Sequence, residues 1–537
     1  RSDKMRKRIQ IVLFISIFTI CLFISGCVHR VKIPIGERPT EKFTVVEYIK
    51  DDAIFQAASS LKISGKSNSG VVIVATLYDS KNLIVNQVYC NTDNNGNWDL
   101  NLATPDASMK SYTLKIYDSA EVYHETFTNI RFGEVWMIIG DEFKNIELPQ
   151  KDENTEEQET ISFLDTSIDY SLMFYQNNEW LPAQFELSNF GYQLINQIKS
   201  TFNSWNRHPI AVVFATSSDT HIYQWLSREM IESRKVIKDY LVSVGLYTDS
   251  DDLVEHGMSY LFEKYLNSLK GMSYANIIIN QGLADLEDAN QEKHYTKKNF
   301  LNVYSQMLYT FLSELDAKLL IENKIFYIQE GTNKVEDSNI LRKIQSSTCN
   351  YYNKCEIIPT YDLALIYDKI NDTYLEPDEI DLDNINELDI LGMDYLRLSR
   401  RIYQFSINSY SAPTLKNTVK EYDESGNVVR IKLIFENVNI FDNYEQINGL
   451  KFYDLEGNEV DLEYTIDHNE IIVNLLKIEK ADEESDRLID EIETTLEENK
   501  YIELSKICYA QESFIYGNNL SADKICVIPF EVILINK

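Results

Sequence analysis

Phe132-Gly133-Glu134-Val135-Trp136-Met137-Ile138-Ile139-Gly140-Asp141-Glu142-Phe143-Lys144 reads as an apolar strand that runs into a glycine and then an acidic pair. The residues on either side of it set the fold class. From about 131 to 405, short apolar runs alternate with longer helical segments. Ile210 to Ala215 and Ala275 to Ile279 are of the buried parallel-strand type, and Phe326 to Gln329 is a further short strand. Phe300 to Leu320 repeats apolar residues at helical spacing. This alternation predicts a doubly wound α/β domain with a mostly parallel sheet.

On the amino-terminal side the pattern changes. Residues from about 45 to 130 give short strands at Val71 to Leu77, Leu83 to Tyr89, Trp98 to Leu102 and Tyr112 to Tyr117. Clusters of Asn, Asp, Gly and Ser separate them, and Asn94-Asn95-Gly96-Asn97-Trp98 is a hairpin-type turn. From about 406 to 537 strands return at Val429 to Phe435, Leu450 to Asp454, Val460 to Tyr464 and Ile471 to Leu475. Lys477 to Lys500 is a charged, helix-like interruption, and Gln150 to Glu159 an acidic loop without periodicity. A β-sandwich-type domain is therefore expected on each side of the α/β domain.

Four segments carry a family resemblance. Gly133-Glu134-Val135-Trp136 followed by Gly140 resembles the Gly-Asp/Glu-Val-Trp strand of sialate O-acetylesterase-like enzymes, a carbohydrate-esterase branch of the SGNH hydrolases. In that family the strand leads into Gly-Gln-Ser-Asn, whose serine is the nucleophile. Ser217-Ser218-Asp219-Thr220-His221-Ile222-Tyr223-Gln224-Trp225 resembles the Trp-Gly-Gly-Thr and Ile-Glu-Ala-Trp block, and Gln281-Gly282-Leu283-Ala284-Asp285 resembles Gln-Gly-Glu-Ser-Asn. Gly392 falls on the glycine that follows the family's Asp-x-x-His, which puts Asp381 on the aspartate and Asn384 on the histidine. Ile54-Phe55-Gln56 is the counterpart of the Val-Leu-Gln element that opens the family's β domain. The resemblance implies an SGNH, flavodoxin-like three-layer domain between the two β domains.

It also implies an active site that has lost its working groups. The nucleophile position is Glu142, and the oxyanion positions are Ser218, Asp219 and Asp285. Asp381 is retained, but the base position is Asn384, which cannot take a proton at neutral pH. Acyl transfer needs a hydroxyl, a base and donors aimed at the oxyanion, and losing one donor alone costs roughly 10²–10³ in rate. The expectation is a pseudoenzyme retained for binding glycans or a surface protein. The 34 tyrosines offer rings on which sugars could stack. The alternative is a divergent carbohydrate O-acetylesterase with a rearranged site, for which Ser217, Ser218 and His221 are the nearby serine and histidine groups. No cofactor is required. Glu142, Asp219, Asp285 and Asp381 would, if they converge, form a carboxylate group suited to Ca²⁺. The other histidines carry no metal-ligand spacing.

The front end sets the expected compartment. Met5 is read as the start, Arg6, Lys7 and Arg8 as a basic n-region, and Ile11 to Ile24 as a signal h-region too short for a comfortable membrane span. Ile24-Ser25-Gly26-Cys27 resembles a bacterial lipobox. Residues 5–26 are thus a lipoprotein signal peptide, Cys27 the lipidated residue and 27–44 a tether. The bulk of the protein is expected outside the cytoplasmic membrane. With 84 acidic against 51 basic side chains the chain carries −33, and losing residues 1–26 leaves 83 against 46, or −37. Such a surface repels nucleic acid and anionic lipid. Among the cysteines, Cys349–Cys355 and Cys508–Cys526 have spacings for local disulfides, with Cys90 left over. Buried free thiols are an equal expectation.

Overall fold

Side chains along Val135–Ile139 alternate between two cores, which is why no polar residue interrupts the run. Val135, Met137 and Ile139 pack into one core, and Trp136 and Ile138 into the other. The same split recurs at Ala211 and Val213 against Ile210 and Val212, and at Ile277 and Ile279 against Ile278. A strand buried on both faces needs an apolar residue at every position.

These cores belong to a computed structural model that describes residues 43–534. The exceptions are 120–123, 144–168, 184–188, 204–205, 250–253, 332, 334, 369–372, 376–387, 408–410, 439–440, 442–446, 448, 476–501, 510–520, 523–524 and 529. The acidic loop at 150–159 and the charged segment at 477–500 therefore lie outside the described residues, as do the signal and Cys27.

Seven strands come first: β1 (Thr44–Val45), β2 (Ile54–Gln56), β3 (Ser60–Lys66), β4 (Val72–Asp79), β5 (Ile84–Asn91), β6 (Asn97–Ala103) and β7 (Ser108–Asp118). The key strand, β8 (His124–Asp141), is 18 residues long. Its first half pairs antiparallel with β7 and parallel with β2, and its second half lies between two parallel neighbours. Those neighbours are β11 (Ile210–Ser217) and β12 (Ser273–Asn280). The sheet extends through β9 (Leu172–Gln176) and β10 (Glu179–Pro182) on one side, and through β13 (Leu320–Ile328) and β14 (Cys355–Ile358) on the other. The result is a single mixed sheet of 11 strands. The parallel part, β9-β11-β8-β12-β13-β14, fits the sequence expectation.

The amino-terminal strands differ from that expectation in one respect. β4, β5 and β7 join the same sheet through β8, so the boundary expected near 130 falls inside a continuous strand. Facing them, β1, β3 and β6 form a separate three-stranded sheet, and the apolar residues of both sheets merge into the core that also underlies the parallel strands.

Helices cover both faces of the parallel part. Helices α1 (Phe190–Lys199) and α5 (Tyr395–Ile407) bury Leu194, Ile198, Leu398 and Ile402 in the Trp136 core. On the opposite face lie α2 (Leu283–Asn290), α3 (Lys297–Lys318) and α4 (Ser338–Asn350). In α3, Phe300, Tyr304, Leu308 and Phe311 are buried at helical spacing. Its amino terminus is closed by a reciprocal pair, with Thr296 Oγ1 accepting from Asn299 N at 3.3 Å and Asn299 Oδ1 accepting from Thr296 N at 2.9 Å.

The carboxy-terminal residues form two four-stranded antiparallel sheets that share a core of Leu433, Phe435, Val473, Phe452, Ile507 and Phe530. The single strand expected at Val460 to Tyr464 divides. Glu459–Val460 belongs to one sheet and Tyr464–Asp467 to the other, and buried Leu462 marks the crossing. Tyr361 anchors this region to the α/β part through a hydrogen bond to the Val527 carbonyl. Cys349 and Cys355 form a disulfide; Cys508 is instead a buried free thiol, because its strand partner is Lys451 rather than a cysteine. No described helix is long and apolar enough to cross a membrane.

Candidate active site at the carboxyl edge of the sheet

β8, β11 and β12 end together, so Asp141-Glu142, Ser217-Ser218-Asp219-Thr220 and Gln281-Gly282 meet at one edge. In open α/β sheets that edge is where ligands bind. Gly140 allows the approach: its φ is 110°, and a Cβ there would collide with the Asn280 carbonyl. Upstream, Glu134 Oε1 accepts from Trp136 Nε1 at 2.6 Å, and Gln56 Oε1 accepts from Val135 N at 3.0 Å, tying Ile54-Phe55-Gln56 to the central strand.

Glu142 is exposed and accepts the Ser218 hydroxyl at 3.0 Å. Its neighbour Asp141 faces the β11 loop, where Oδ1 accepts from Thr220 N at 2.6 Å and Thr220 Oγ1 at 2.8 Å. Burial pushes Asp141 up to about 7, with the charges of Asp285 and Glu330 adding to it and the Thr220 bonds opposing it. The Phe143 ring centroid lies 4.2 Å from that of Phe190 and 5.6 Å from that of Tyr395, and so ties helices α1 and α5 to the strand end. Asp219 is exposed with φ 52°, a backbone region that favours glycine.

Asp285 behaves differently from the other acids. It sits in the first turn of α2, fully buried, and accepts three hydrogen bonds. The donors are Tyr295 OH at 2.7 Å, Ile222 N at 3.0 Å and Gln281 Nε2. Burial raises it to about 7 in spite of those donors. Gln281 is itself held from Tyr304 OH at 2.6 Å.

The convergence expected for a Ca²⁺ group is therefore not formed among the described residues. Glu142 accepts from Ser218, whereas Asp285 turns inward, because the 222 turn, the Gln281 side chain and Tyr295 offer it buried donors. Asp381 and Asn384 lie outside the described residues. The ligand group that does assemble, among the described residues, is His221, Asp288 and His294, with ligating atoms all within 4.8 Å of one another. Asp288 Oδ2 is 3.3 Å from His221 Nε2 and 2.6 Å from His294 Nδ1. Burial holds His221 below the ordinary histidine range, against the pull of the Asp288 carboxylate. The sequence reading missed this group. Its only signal was Asp288 on α2 with His294 just beyond the helix end, a spacing that matches no ligand motif. Among the described residues no serine hydroxyl is hydrogen-bonded to a histidine; Ser218 is committed to Glu142.

No family model matches the chain, and no curated protein matches it by sequence. Among solved structures it is similar to a carbohydrate acetylesterase from Xanthomonas citri, at 13% identity and a TM-score of 0.60, over 92% of this chain and 100% of that one. A likeness at that identity shows a shared fold alone, here a mixed α/β one. A beta-glucuronidase from Ruminococcus gnavus aligns over 66% of this chain and 60% of its own at 8% identity, but its TM-score of 0.22 carries no argument.

Proposed function

We propose that this chain is a sialate O-acetylesterase-like protein on an SGNH, three-layer scaffold whose acyl-transfer site is degenerate, anchored by lipid at Cys27 outside the cytoplasmic membrane and retained to bind glycans or a partner protein. The observation that carries this reading is Glu142. It follows the strand end at the position that the resemblance aligns with the family's serine, and it accepts the Ser218 hydroxyl in a 3.0 Å hydrogen bond. A carboxylate there cannot form the usual acyl-enzyme and opposes an oxyanion. The positive φ of Asp219 supports the register, because a family glycine would adopt it without strain. The helices on both faces of the parallel strands support the three-layer arrangement.

The test is acetate release from O-acetylated sialic acid and from p-nitrophenyl acetate. Wild type is expected at the uncatalysed background, and Glu142→Ser is expected to stay there because base and oxyanion donors are missing as well. Turnover far above background in wild type overturns the reading. Membrane extraction with detergent, lost in Cys27→Ala, checks the anchor.

A second reading, a divergent carbohydrate O-acetylesterase with a rearranged site, is favoured by one feature. His221 has a buried carboxylate partner in Asp288, which is the histidine–aspartate half of a triad. In that case Ser218→Ala would abolish turnover and Glu142→Ala, by releasing the hydroxyl, would increase it.

A further inference from the structure

We propose that His221, Asp288 and His294 form a binding site for one divalent transition-metal cation of the Zn²⁺ class, with an open position for water. This inference stands on side-chain geometry and is independent of the esterase-fold reading. Two imidazoles and one carboxylate are the donor set of three-ligand zinc sites, which keep a fourth position for solvent. The mixture selects against Ca²⁺ and Mg²⁺, which want oxygen donors throughout.

The site is partly built already. Metal–ligand distances of about 2.0–2.2 Å in a tetrahedron put donor atoms about 3.3 Å apart. His221 Nε2 and Asp288 Oδ2 are at 3.3 Å. His294 Nδ1 and Asp288 Oδ2, at 2.6 Å, share a hydrogen bond that a cation would open by about 0.7 Å. The two rings stand perpendicular, their centroids 6.3 Å apart, and a nitrogen of each lies close to the same carboxylate oxygen.

Outer contacts orient each ligand, as outer partners do in metal sites. Asp288 Oδ1 is fixed by His294 N at 2.7 Å, which leaves Oδ2 toward the rings. His221 N donates to Gln224 Oε1 at 2.9 Å. The His294 carbonyl accepts from Tyr240 OH, and the Tyr223 ring lies 5.3 Å from His221. The Asp288 side chain is 3% exposed, while His221 and His294 are 22% and 34% exposed, so an ion would be held on a buried anion and reached from solvent through the rings.

The experiment uses the full chain, stripped with a chelator and dialysed, titrated calorimetrically with ZnCl₂ in about 0.15 M salt to screen the acidic surface. One equivalent per chain is expected, with at least a tenfold loss of affinity in His221→Ala and in His294→Ala. Co²⁺ in place of Zn²⁺ is expected to give visible absorption bands of a four- or five-coordinate site in wild type, a readout that needs no variant. Circular dichroism verifies that the variants fold. No saturable Zn²⁺ heat overturns the proposal, as do binding retained in full by both histidine variants and a Co²⁺ spectrum identical to that of the free aquo ion.

Discussion

Glu142 accepts a hydrogen bond from Ser218 and is open to water, whereas Asp285 accepts three and is fully enclosed. Both are acids near the carboxyl edge of the parallel strands, yet their surroundings differ. At the rim, water solvates the Glu142 charge, so holding a carboxylate there costs little. In the floor, a carboxylate survives only because the 222 turn, Gln281 and Tyr295 supply donors. The charge is accommodated by solvent at one place and by a hydrogen-bond network at the other.

The sharpest break of this contrast is Asp285→Ala. It leaves Ile222 N, Gln281 Nε2 and Tyr295 OH buried without their acceptor, at about 1–3 kcal/mol for each orphaned group. The expected loss is roughly 3–5 kcal/mol in denaturant unfolding, against less than about 1 kcal/mol for Glu142→Ala. Equal losses would erase the distinction.

The next effect is on pH. Asp141 and Asp285 are both raised from 3.8 to about 7 by burial. A raised acid stabilises the fold fully below its unfolded value, and that contribution is lost as pH rises through the folded one. Stability should therefore decline between about pH 4 and pH 7, by an amount on the order of a few kcal/mol, and level off above. When protonated, Asp285 Oδ1 donates to the Tyr295 hydroxyl rather than accepting from it. Asp285→Asn keeps a neutral group there, and melting curves across that window should flatten; an unchanged slope would assign the decline elsewhere.

Smaller effects test the rim. A double-mutant cycle on Ser218→Ala and Glu142→Gln should return less than about 1 kcal/mol of coupling, since a solvent-exposed hydrogen bond exchanges readily with water. Asp219→Gly should raise stability by no more than about 1 kcal/mol, by relieving a left-handed conformation that a side chain resists. Destabilisation by that change would mean that the Asp219 carboxylate holds the loop.

Much of the sheet was legible because its signal is local. Strands at Ile210–Ser217, Ser273–Asn280 and Val428–Glu436 are each two or three residues longer than the expected runs, and α3 is close to its expected span. The strand expected at Val460–Tyr464 was misread because Val460, Leu462 and Tyr464 alternate correctly while the chain changes sheet between them. Pairing partners leave no mark on alternation. Of the candidate site, Glu142 and Ser218 are found side by side, but the inward turn of Asp285 could not be read from a stretch that identifies only a helix start.

By itself, the sequence determined the alternation of strands and helices, the glycine that brings β8 against β12, and the acidic pair Asp141-Glu142 at the end of that strand. These follow from residue type and short spacing, which fix backbone preference and chemical capacity. Tertiary packing alone decided that one 18-residue strand joins the amino-terminal strands to the parallel sheet. It also decided that Asp288 lies between His221 and His294. Such meetings depend on how a helix end rests against a loop from another part of the chain, and side-chain periodicity carries no record of that contact.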